Sequence, residues 1–141
     1  MAKLNSEFLK DKELIFIGYS GKKDSFSKII YKAFIDKGYT VYPVNNKADG
    51  SFDVKVYKDI SELPKVPAAA FVLLNSNNTK TAVESLVGSG IKKVLFQNKH
   101  SVDEATLKLC SDNGIETAIG CPMMLLGSGL HKIHAFFAGV K

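Results

Sequence analysis

The chain has 141 residues, 45% hydrophobic and 23% charged, the balance of one globular domain and not of a disordered polymer. Its net charge of +5 rests on 19 basic residues, all of them lysine; without arginine's planar fork, a dedicated reader of nucleic acid is not expected. No apolar run is long enough to span a bilayer, and two cysteines, Cys110 and Cys121, make neither a disulfide framework nor a zinc spacing, so a cytoplasmic protein with no membrane partner is expected.

Residues 1–12 are polar and lack the apolar centre of an export signal. Residues 14–18 form a continuous apolar run, the pattern of a parallel strand covered on both faces. A polar loop follows, and then a helix whose N-cap falls on Asp24 or Ser25. Phe26, Ile29, Ile30, Ala33 and Phe34 recur at helical spacing as one buried stripe, and Gly38 stands where a C-cap is expected. Residues 39–44 read as a second strand, halted by Asn45 and Asn46. The long connection over 47–67 is expected to hold a short extended piece around 54–57 and one helical turn at 59–63.

A third buried strand covers 68–74. Asn77 or Asn78 is expected to cap the next helix, which carries Ala82, Val83, Leu86 and Val87 and closes over 88–90. Residues 93–96 are the fourth strand. Ser101 and Glu104 have the spacing of a capping box, opening a helix that buries Ala105, Leu109 and Cys110 and ends at Asn113 and Gly114. Residues 115–119 are the fifth strand.

Such alternation predicts a three-layer α/β fold, a Rossmann-like doubly wound parallel sheet of five strands in the order 3-2-1-4-5. One domain is expected over 1–141, with its core over 12–122 and a helical extension over 123–141. In that extension Leu130, Ile133, Phe136, Phe137 and Val140 share an apolar face, which either closes the sheet within the monomer or seals a homodimer.

Ligands of open α/β sheets sit beyond the carboxyl ends of the strands, where the winding direction switches. Three loops converge there, over 18–24, 44–47 and 74–78, and Asn, Ser and Gly dominate them. The stretch Gly18-Tyr19-Ser20-Gly21-Lys22-Lys23-Asp24-Ser25 is not G-x-G-x-x-G. It also fails the P-loop pattern, since no Gly stands five residues before Gly21 and no Ser or Thr follows Lys22. It does link a buried strand to a helix N-terminus, where free N–H groups and the dipole attract anions. The second strand ends Val44-Asn45-Asn46-Lys47, with a cation where NAD-binding folds place the carboxylate that holds the ribose hydroxyls. That favours a ribose carrying a phosphate, as in NADP or coenzyme A.

Gly18-Tyr19-Ser20-Gly21-Lys22 resembles the G-F-T-G-K loop of the nucleotide-binding domain in the succinyl-CoA synthetase alpha subunit. Tyr42-Pro43-Val44-Asn45 is similar to the Y-P-V-N segment of the small stand-alone CoA-binding proteins related to that domain. In the same order, Glu62-Leu63-Pro64, Gly90-Ile91-Lys92-Lys93-Val94 and Cys121-Pro122 resemble further motifs of that family, covering roughly residues 12–122. The resemblance implies a CoA-binding Rossmann-like domain. Gly18, Tyr19, Ser20, Gly21, Lys22, Lys23 and Ser25 would hold the diphosphate. Lys47 would lie near the 3′-phosphate, Val44 and Asn45 would belong to the same cofactor site, and Leu74, Asn75 and Ser76 would flank the nucleotide or the pantetheine arm. After the fourth strand the chain reads Gln97-Asn98-Lys99-His100, where the family carries a glycine and an asparagine.

Catalytic groups are scarce. His100, His131 and His134 have no carboxylate pattern around them, although His131 and His134, three apart on one helix, have a spacing a metal could use. Cys121 is either a small apolar residue ending a strand or a thiol facing the CoA sulfur. The expected function is binding of coenzyme A or an acyl-CoA without chemistry and without a metal. The alternatives are a small NADP-dependent oxidoreductase, a CoA-linked transferase subunit, and an NAD-binding redox sensor.

Overall fold

The computed structural model describes residues 8–20, 25–45 and 54–122. The chain-order elements are β1 (Glu13–Ile17), α1 (Phe26–Asp36), β2 (Thr40–Val44), β3 (Ala69–Val72), α2 (Ser76–Leu86), β4 (Lys93–Phe96), α3 (Glu104–Asp112) and β5 (Glu116–Ile119). Single 3₁₀ turns lie at Ile60–Glu62 and Lys99–Ser101. Gly21, Lys22, Lys23, Asp24, Asn46, Lys47 and the apolar face expected beyond residue 123, with His131 and His134, lie outside the described residues.

All five strands pair in parallel as one sheet. The buried side chains alternate between its two faces, as a strand covered on both sides requires. Leu14, Phe16, Phe71, Leu95 and Ala118 join Ile30 and Phe34 of α1 in one cluster. Ile15, Ile17, Val72, Val94 and Phe96 join Val83 and Leu86 of α2 and Cys110 of α3 in the other. Each fully buried Phe or Leu among them contributes about 1.5–3 kcal/mol relative to exposure. Phe8 and Leu9 also enter the first cluster, although they lie in the polar stretch that precedes the expected core.

The strand order is 2-1-3-4-5, which corrects the expected 3-2-1-4-5: β3 pairs with β1, not with β2. Pro43 supplies the physical reason. Its carbonyl accepts the Tyr57 N–H at 2.9 Å on the outer side of β2, but it has no N–H to return there. The outer ladder therefore stops after one bridge, Val44 to Tyr57, and β2 is an edge strand. β3, with every side chain buried, takes the interior place.

Two helix starts also differ from expectation. Asn75, not Asn77 or Asn78, caps α2, its Oδ1 accepting the Asn78 N–H at 2.9 Å. Asp103 caps α3 through the Thr106 N–H at 2.8 Å. Ser101 instead shares a capping box with Asn98 in the preceding 3₁₀ turn, and the buried stripe of α3 is Thr106 and Cys110, leaving Ala105 exposed. The helical turn expected over 59–63 is present, capped by Asp59, and Gly38 follows the C-cap of α1 with its N–H on the Ile35 carbonyl.

Candidate functional site

The chain leaves β1 for α1 on one face of the sheet and leaves β3 for α2 on the other. Because β1 and β3 are neighbours, the two connections part at their carboxyl ends and open a crevice between two helix N-termini. Gly18 makes the close approach possible. Its φ is +102°, and a Cβ placed on it would fall on the Leu73 carbonyl oxygen and 3.0 Å from Leu74 Cδ2.

One wall is tied together by serines. The Ser20 N–H donates to Ser27 Oγ at 2.8 Å, and Ser25 Oγ and Ser27 Oγ lie 3.1 Å apart. Both hydroxyls reach the Ser20 carbonyl at 3.3 Å. Ser25 also caps α1 by accepting the Lys28 N–H, so the two ends of the 18–25 loop are fastened to each other and to the helix start. Asn45 joins β2 to this wall, its Nδ2 donating to the Tyr19 carbonyl at 2.8 Å.

The Tyr19 side chain is in the core, its ring edge-on to Phe16 and Tyr31 at 5.9 and 5.2 Å. Val44 is buried as well, with its carbonyl accepting the Gly18 N–H at 3.1 Å. These two bring backbone, not side chains, to the rim. Across the crevice Leu74 packs into the second cluster and its carbonyl accepts the Thr79 hydroxyl at 3.3 Å. Asn75 is the cap of α2 and Ser76 its first residue. Of the expected site, Gly18, Tyr19, Ser20, Ser25, Val44 and Asn45 are thus brought together, with Leu74, Asn75 and Ser76 opposite.

The electrostatics suit an anion. Both α1 and α2 have neutral caps and no acidic residue in the first turn, so among the described residues no carboxylate there offsets the partial positive charge of either N-terminus. By contrast α3 begins with Asp103 and Glu104. Asp103 is held below the usual carboxylate range by the Thr106 hydroxyl beside it and by the Thr106 N–H; only the N–H meets hydrogen-bond geometry.

Ser27 and Thr79 are rim residues that sequence reasoning missed. Each is a hydroxyl on the buried side of an otherwise apolar helical stripe, and that is the signal that could have found them. The thiols offer little chemistry: burial pushes Cys110 up to about 11, and Cys121 packs half-buried against the first cluster. Among the described residues no group of His, Cys, Asp or Glu could hold a metal ion, and no helix is long and apolar enough to cross a membrane.

Residues 12–127 match the family described as CoA binding domain. No curated protein matches the chain. Among solved structures, a conserved hypothetical protein from Pyrococcus furiosus is similar at 26% identity and TM-score 0.68, over 77% of this chain and 92% of that one. A hypothetical protein from Pyrococcus horikoshii OT3 is similar at 22% identity and TM-score 0.74, over 93% and 88%. A cell-free product from Thermus thermophilus aligns at 14% identity and TM-score 0.72, over 92% and 98%. The last two likenesses concern the fold alone.

Proposed function

The chain belongs to the CoA binding domain family, and we propose that it binds coenzyme A or an acyl-CoA in the crevice between β1 and β3 without transforming it. The observation that carries this reading is the pair of neutrally capped helix N-termini, α1 and α2, facing one crevice in a chain of that family. Coenzyme A is polyanionic, and backbone N–H groups at a helix start are suited to its diphosphate.

In this reading the Ser20, Ser25 and Ser27 wall shapes the diphosphate loop, to which Gly21, Lys22 and Lys23 also belong. Asn45 sets the adenosine end, and Lys47, two residues further along the chain, takes the 3′-phosphate. Leu74, Asn75 and Ser76 flank the nucleotide or the start of the pantetheine arm. The described rim is made of hydroxyls, amides and backbone groups, which hold a ligand more readily than they attack one.

Thermal unfolding with a ligand series tests it. A ligand at about a hundredfold its Kd that binds only the folded state adds about 2.7 kcal/mol, a rise of several degrees in Tm for a chain of this size. Coenzyme A should give the largest rise, dephospho-CoA a smaller one and NAD little. Lys47→Ala should narrow the gap between the first two, because only the 3′-phosphate separates them. A rise with NAD or NADP and none with coenzyme A would overturn the proposal.

A further inference from the structure

The described helices do not cover the two faces of the sheet equally. On one face α2 and α3 both enter the cluster, through Val83, Leu86 and Cys110, and Tyr57, Ile60 and Leu63 pack against it as well. On the other, α1 is the one described helix whose side chains enter. It lies against β2, and its Phe34 reaches as far as Phe71 of β3, with ring centres 6.2 Å apart. A helix is about 10 Å across and neighbouring strands are about 5 Å apart, so α1 cannot also cover β4 and β5. Phe8 takes the amino end of β4, where the Lys93 ammonium lies 5.6 Å from the centre of its ring.

Yet Leu95 of β4 and Ala118 of β5, both on the α1 side, are fully buried within the single chain. Two residues beyond Leu95, the side-chain oxygen of Gln97 is buried too, without a hydrogen-bond partner. Ala118 is the sharper case, because β5 is an edge strand and Glu116, two residues earlier on the same face, is exposed. The same chain must therefore supply a cover over the carboxyl half of β4 and β5. Residues 1–7 precede Phe8 at the amino end, 21–24 lead into α1, and 46–53 follow β2 at the opposite edge of the sheet. Residues 123–141 start beside the face in question, one residue after Pro122 and two after Cys121, which packs on the α1-side cluster. They also carry the apolar stripe of Leu130, Ile133, Phe136, Phe137 and Val140 at helical spacing. As a helix, residues 130–140 would span about 16 Å, enough to run the length of β5, about 13 Å.

We propose that residues 123–141 fold back over β4 and β5 of their own chain on the α1 side, laying the face of Leu130, Ile133 and Phe137 on Leu95 and Ala118. Each face of the sheet then carries two helices. The apolar stripe is used up inside the monomer, so it is not the contact of a second copy, and the protein works as a single chain. Neither Leu95 nor Ala118 belongs to the proposed coenzyme A site, so this docking stands or falls separately from ligand identity.

Thermal unfolding of the full chain, with sedimentation, tests it. Phe137→Glu should lower Tm by roughly 10 °C or more, and the milder Ile133→Val by roughly 2–6 °C, which keeps the test readable if the first variant does not fold. Ala135→Glu, on the opposite side of the same helical spacing, should leave Tm within about 2 °C of wild type. The wild-type Tm should not change over a hundredfold range of protein concentration, and the chain should sediment as a monomer. A Tm that rises with concentration, with a sedimenting dimer that Phe137→Glu dissociates, would assign the stripe to a second copy and overturn the proposal. Wild-type melting in both stripe variants would overturn it as well. Ala118→Leu locates the contact: beneath a packed cover the added bulk should lower Tm by roughly 3–10 °C. That penalty should shrink when Leu130→Ala, Ile133→Ala or Phe137→Ala makes room in the same chain. No penalty for Ala118→Leu, or one unchanged in all three combinations, would show that the segment does not lie on β5.

Discussion

Adding one methyl group at Gly18 separates two physical effects that usually come mixed. Gly18 and Gly90 have nearly the same φ, +102° and +103°. A Cβ on Gly90 meets nothing within 4 Å, whereas a Cβ on Gly18 lands on the Leu73 carbonyl oxygen. Gly90→Ala therefore reads the backbone strain alone, about 1–2 kcal/mol. Gly18→Ala carries that strain and must also push the ends of β1 and β3 apart. Doing so stretches the bond from the Leu73 N–H to the Ile17 carbonyl at 2.9 Å and drives Gly18 toward β2, disturbing the bond from its N–H to the Val44 carbonyl at 3.1 Å. At about 0.5–1.5 kcal/mol for each bond, the total comes to about 2–5 kcal/mol, a large share of the stability of an ordinary domain. With about 3–4 °C per kcal/mol at this chain length, Gly18→Ala should lower Tm by roughly 6–20 °C and Gly90→Ala by roughly 3–8 °C in scanning calorimetry. If the two variants melt together, the crowding at the crevice floor is not what makes residue 18 a glycine.

Cys110 is fully buried with its thiol pushed up to about 11, so native protein at pH 8 should show one thiol to an aromatic disulfide reagent, and that one should vanish in Cys121→Ser; two should react in denaturant, and rapid labelling of Cys110 in the folded state would contradict its placement. Asp103 is held below its ordinary pKa, so its charged form contributes stability above the unfolded value near 4, and that contribution is lost as pH falls through the lower folded value. Asp103→Asn keeps an acceptor for the Thr106 N–H, so the Tm difference between wild type and variant should shrink to nothing in acid, and a difference that persists unchanged at pH 2 would show that the charge plays no part.

Much of the architecture is local and could be read directly. Continuous apolar runs such as Leu14 to Ile17 announce strands covered on both faces, and the helical spacing of Phe26, Ile30 and Phe34 announces the stripe of α1 that covers one of them. Helix starts were legible to within a turn, because several Asn, Ser and Asp residues compete for each cap and only the path of the preceding loop selects Asn75 over Asn77 or Asp103 over Ser101. The loops of the candidate site could be found, since a β–α alternation places them at one edge of the sheet whichever strand lies beside β1.

The strand order was decided by the tertiary structure, because pairing joins residues far apart in the chain and turn or helix propensity does not encode which strand lies beside which. Pro43 was the one local sign, a missing donor that leaves β2 at the edge. The burial of the Tyr19 ring, the bond from Asn45 to the Tyr19 carbonyl and the orphaned oxygen of Gln97 belong to the same class. Each depends on what a distant segment brings into contact, and hydrogen-bond satisfaction is settled only when those segments are in place.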